Sequence, residues 1–146
     1  MKIKGNKIGF YIFTVLSLLF AILIFLFSYQ SAEQSSGVSV SFYDIFIDFT
    51  GFDFISHGAF RKIAHFCEFA ALGFCVSGSV YFYCNRPNLL KSIVPCIIYA
   101  ISDEVHQMFV PERAGRIFDV FVDSCGSIFG LSVFLLIVFI YNKIKK

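Results

Sequence analysis

The chain has 146 residues, 58% of them hydrophobic and 15% charged, with 21 Phe and no Trp. A soluble domain carries about a quarter charged residues, so this composition excludes an ordinary soluble globule and reads as one membrane domain, residues 1–146. The net charge of +2 says little as a total, but the basic residues form no stripe of the kind nucleic acid needs.

Ile8 to Phe27 is an apolar run behind Lys2, Lys4 and Lys7. A signal-peptide core runs about 7–15 residues, whereas about 20 span a bilayer, so residues 8–27 read as a retained first helix. Ser31 to Gly37 is polar and Ser-rich. From Val38 to Phe54 apolar residues return, with Phe42, Ile45, Phe46 and Phe49 at helical spacing and Asp44 and Asp48 on the other side. Those acids prevent spanning, so the segment is expected to lie as an amphipathic helix on the outer membrane surface. A short strand over Val38–Phe42 is the alternative.

A second helix is predicted over 60–84. A third follows over 89–110, ended by Pro111, which cannot donate to the preceding turn, and a fourth over 117–141. The fold class is therefore all-α: an integral membrane four-helix bundle with an outer interfacial segment between the first two helices. The third helix is the marginal one, its continuous apolar stretch covering only Ile93 to Ile101. Two central acids cost about 6 kcal/mol on an insertion scale, against about 3–6 returned by ten apolar residues. It needs its neighbours to insert.

Lysine and arginine set the orientation. Lys2, Lys4, Lys7, Arg86, Lys91, Lys143, Lys145 and Lys146 fall on one side, and Arg61, Lys62, Arg113 and Arg116 on the other. The positive-inside rule makes the first side cytoplasmic, with both termini and the Cys84–Leu89 loop. All ten carboxylates and all three histidines then face outward. Five cysteines without regular spacing argue against a disulfide framework or a zinc site and read as packing residues.

Several outward polar residues lie inside the apolar segments, where an unpaired charge is costly. On a wheel of 100° per residue, Arg61, His65 and Glu68 share about 60° of the second helix. Asp119, Asp123, Gly126 and Gly130 share about 60° of the fourth, and the Gly-x-x-x-Gly pair would admit a neighbouring helix closely. The third helix spreads Ser102, Asp103, Glu104, His106 and Gln107 over about 200°, which leaves little surface for lipid. Glu68, Asp103, Glu104 and Asp123 lie at one depth, roughly 9–10 Å from the outer helix ends, with His65 and His106 at roughly 5–6 Å. Lipid cannot solvate such a layer, so it must face itself or an outward cleft.

Three uses compete for this cluster. It could be a charge-compensated structural network in which Arg61, Arg113 and Arg116 pair with the acids. It could be a cleft that binds the polar part of a surface ligand. Or it could be an acid–base or metal-assisted catalyst, with His65, Glu68, Asp103 and His106 as the candidate catalytic residues. No His-Glu-x-x-His and no Gly-x-Ser-x-Gly signature is present. His65-x-x-Glu68 and Glu104-x-His106 are common spacings, so neither metal nor cofactor is expected.

Residues 61–74 read RKIAHFCEFAALGF and residues 102–130 read SDEVHQMFVPERAGRIFDVFVDSCGSIFG. With Phe27-Ser28-Tyr29-Gln30-Ser31, these segments resemble the VanZ-like family of bacterial membrane proteins. That family's pattern is Arg-Lys-x-x-His-x-x-Glu, then Ser-Asp-Glu-x-His-Gln, then Asp-Val-x-x-Asp-x-x-Gly. One departure is Pro111-Glu112-Arg113, where the family has Pro-Gly-Arg.

The matching positions are Arg61, Lys62, His65, Glu68, Ser102, Asp103, Glu104, His106, Gln107, Arg113, Asp119 and Asp123, which take in the polar residues reached from the wheels. The resemblance implies a multi-pass protein of the bacterial cell membrane. The founding member is associated with resistance to teicoplanin, a lipid-bearing glycopeptide acting on cell-wall precursors. The expected partners are membrane lipid and a lipoglycopeptide or lipid-linked envelope precursor. The expected role is to lower susceptibility by binding one of these in the cleft. An enzyme acting on a lipid-linked substrate and a structural partner of another membrane protein are the alternatives.

Overall fold

The computed structural model of the chain describes residues 7–29, 57–111 and 115–145, all but 57, 58 and 60 with their side chains. The described residues form helices and turns with no strand. The helices are α1 (Lys7–Tyr29), α2 (His57–Cys84), α3 (Leu89–Gln107) and α4 (Ile117–Ile144). The amphipathic segment expected over 38–54, and its strand alternative, lie outside the described residues.

Among the described residues, three helices are long and apolar enough to cross a membrane: Lys7–Tyr29, Arg61–Cys84 and Ile117–Ile144. The third helix is not among them, because Lys91, Asp103 and Glu104 charge a helix of only 19 residues. α3 starts where Asn88 caps it, the Asn88 side chain accepting from the Lys91 backbone N–H at 3.1 Å. Such a cap satisfies a donor that the first turn would otherwise leave open. The turn before it uses Asn85 at φ 55°, a left-handed conformation that asparagine tolerates better than most residues.

At its other end α3 stops at Gln107, short of the boundary at 110 that the sequence predicts. The chain continues in tight turns, with Phe109 N–H donating to His106 O at 3.0 Å and Val110 N–H to Gln107 O at 3.1 Å. Pro111 disfavours helical backbone at the residue before it. The last turn unwinds accordingly.

α2 packs along both α4 and α1. Glycine makes the α2–α4 seam possible, since a Cβ at Gly126 would overlap the Phe66 carbonyl and one at Gly130 the Ala70 carbonyl. Gly73 on α2 is closed in the same way by Ser127 of α4. The buried core draws Ile24 from α1, Phe69 and Leu72 from α2, and Cys96 and Ala100 from α3. Tyr99 fastens α3 to α1, its hydroxyl donating to Ala21 O at 2.5 Å. Toward the lysine-bearing end, Phe13, Phe74, Phe82 and Phe134 pack ring on ring between α1, α2 and α4.

The outer faces are apolar, as lipid contact requires. α1 exposes Ile12, Val15, Leu19, Ile22 and Leu26, and α4 exposes Phe129, Leu136 and Ile140. α3 keeps a lipid-facing stripe too, Val94, Ile98, Ile101 and Val105, although the wheel leaves it little room. Of the polar side chains of α3, Asp103, Glu104 and Gln107 are buried while Ser102 is exposed. Of the cysteines, Cys75 and Cys96 are buried while Cys67 is exposed, so packing accounts for only some of the five.

Candidate functional site

Four helices bring polar side chains to one end of the bundle: the C-terminal ends of α1 and α3 and the N-terminal parts of α2 and α4. Asp103, Glu104 and Asp123 are only 3%, 5% and 1% exposed. Asp123 lies within range of the charges of Asp103, Glu104, Asp119 and Glu68. A small cavity of about 20 Å³ adjoins them, lined by Arg61, Lys62, His65, Glu104, Gln107, Asp119, Val122 and Asp123. One water needs about 10–15 Å³ of such space, so the cavity admits a single small group.

Each carboxylate is held differently. Asp103 Oδ2 accepts from Ser28 Oγ at 2.8 Å and from Gln107 Nε2 at 2.9 Å, while Gln107 Nε2 also reaches Ser28 Oγ at 3.2 Å. That triangle ties α3 to the end of α1 and leaves Asp103 Oδ1 buried with no hydrogen-bond partner among the described residues. Glu104 accepts the Arg116 backbone N–H on Oε1 at 2.5 Å, fixing the approach to α4. Asp119 pairs with Lys62 at 3.2 Å, and the Lys62 ammonium also lies 4.3 Å from the centre of the Phe118 ring.

Asp123 is different, since neither of its carboxylate oxygens has a hydrogen-bond partner among the described residues. His65 stands beside it, with Nδ1 3.9 Å from Asp123 Oδ1. Glu68, half-buried, adds a further partnerless oxygen, Oε2.

Not all the sequence candidates converge. His106 turns toward α1, its ring centre 4.7 Å from that of Phe25 and 6.1 Å from that of Tyr29. Ser102 is exposed and donates to Tyr99 O at 2.8 Å. Arg113 lies outside the described residues. His65, which helix-end counting sets shallower than the acids, comes level with them: its donor atom and one each from Asp103 and Asp123 all lie within 4.8 Å of one another.

Ser28 belongs with the site although sequence reasoning left it out. It sits in the Phe27-Ser28-Tyr29 signature, but a serine closing an apolar helix is too common to mark a site. Its complete burial and its bond to Asp103 are tertiary facts.

A family model for VanZ/LLP1 matches residues 13–139, which cover most of the chain and every residue of this cluster. No match was found among curated proteins or solved structures.

Proposed function

We propose that this chain, which belongs to the VanZ/LLP1 family, lowers susceptibility to teicoplanin-type lipoglycopeptides from the membrane. Its polar site receives a cationic or hydrogen-bond-donating group of the antibiotic or of a lipid-linked envelope component. The observation that carries this reading is the surplus of acid: Asp103, Glu104 and Asp123 buried together beside Glu68 and Asp119. Intramembrane charges are costly and mark functional sites by default. The lysine-rich end is taken as cytoplasmic, which turns the site outward, toward the side where such antibiotics act.

The cavity refines the mode of binding. With about 20 Å³ of room, it takes one ammonium-sized group and not a whole glycopeptide. The bulk of the ligand would lie outside, and one group would dip between α2 and α4.

The test is a teicoplanin susceptibility assay in cells expressing the wild type or Glu68→Gln, with membrane abundance measured for both. The wild type is expected to raise tolerance and Glu68→Gln to weaken that effect at equal abundance. Unchanged susceptibility on expressing the wild type removes the reading.

The proximity of His65 to Asp123 favours a second reading, an acid–base enzyme acting on a lipid-linked substrate, with His65 as base. Under it, His65→Ala and Asp103→Asn abolish turnover at normal abundance. Graded loss of binding across the cluster supports the first reading instead, and a fall in abundance supports a structural role.

A further inference from the structure

We infer that His65, Asp103 and Asp123 bind a divalent first-row metal ion of the zinc or manganese type. The three residues come from α2, α3 and α4, and one donor atom from each lies within 4.8 Å of the others. Metal–ligand bonds to imidazole and carboxylate run about 2.0–2.2 Å, so donors across one ion stand up to about 4.2 Å apart. Rotation of a side chain would have to close the difference.

The independent observation is Asp123. It is 1% exposed, and neither carboxylate oxygen has a hydrogen-bond partner among the described residues. A buried carboxylate without hydrogen bonds is strongly unfavourable, and here a second one, Asp103, presents an Oδ1 with no hydrogen-bond partner among the described residues. The ammonium of Lys62 is engaged one turn further out with Asp119. A divalent cation at the point shared by His65, Asp103 and Asp123 would satisfy both acids at once.

The surroundings match a ligating set. Metal-bound carboxylates are held by outer hydrogen bonds that fix their orientation, and Ser28 and Gln107 hold Asp103 Oδ2 in this way, leaving Oδ1. The adjoining cavity has room for one water, which would complete the coordination. One imidazole among carboxylates suits zinc or manganese, whereas calcium and magnesium take oxygen donors alone. The inference does not rest on the antibiotic reading, because metal stoichiometry is read on purified protein and susceptibility in cells.

The test uses the full chain purified in detergent, treated with EDTA and titrated with Zn²⁺ against a chromophoric chelator. One Zn²⁺ per chain is expected, with affinity reduced at least tenfold in His65→Ala and Asp123→Asn and unchanged in Ser102→Ala. Zn²⁺ should raise the unfolding temperature of the wild type and not that of Asp123→Asn. Wild-type protein that takes up neither Zn²⁺ nor Mn²⁺ overturns the site, and so does wild-type affinity in both variants. Should the variants misfold, electron paramagnetic resonance of Mn²⁺-loaded wild type decides: coupling to a histidine nitrogen supports the site, and its absence overturns it.

Discussion

Asp103 shows how much a single residue is asked to do. One oxygen is spent on Ser28 and Gln107, and the other is buried with no hydrogen-bond partner among the described residues. Hydrogen bonds to a charged group contribute about 1.5–3 kcal/mol, so Ser28→Ala should destabilise the protein by about that amount in detergent unfolding. Lys62→Met is the contrast. Its ion pair with Asp119 is partly exposed, and such pairs contribute about 0–1 kcal/mol, so the same measurement should barely move. Ionisable residues inside apolar runs stand out in a sequence, which is why most of this cluster was legible there. His106 was equally conspicuous, yet it packs on Phe25. A wheel gives an angle on one helix and not the neighbour waiting there.

The elements follow from local rules until they meet. Gly126 and Gly130 share a face by spacing alone, and the structure sets both against the α2 backbone. Adding a methyl there forces the helices apart. Overpacking costs about 1–3 kcal/mol, so Gly130→Ala should lower stability by that much, measured by unfolding in detergent micelles. Gly73, equally tight against Ser127, carried no signal, because a lone glycine in a helix has no partner in the pattern. α3 is the element most dependent on company. Among the described helices it alone is too polar to cross, with Lys91, Asp103 and Glu104 in its 19 residues. In an insertion assay α3 alone should insert poorly, and Asp103→Leu with Glu104→Leu should restore its insertion. Equal insertion of native α3 and the doubly substituted helix would contradict that account.

At the scale of the molecule, the charges sort by end: Lys7, Lys91, Lys143 and Lys145 at one and the carboxylate cluster at the other. A protease-sensitive tag after Lys146 should therefore resist protease added to intact cells and be cleaved once the membrane is opened; cleavage in intact cells would invert the assignment. Length, apolar runs and the distribution of charge determined by themselves an all-helical chain with membrane-crossing helices, since hydropathy and helix length act residue by residue along the chain. The polar end of the bundle was legible too, because lipid cannot solvate charge and the acids had to turn inward. Which of them meet was decided only by tertiary structure. His65, Asp103 and Asp123 are far apart in the chain and belong to three helices, so no spacing could announce them. The glycine-set approach of α2 to α4 and the Tyr99 and Ser28 ties of α3 to α1 bring the three together.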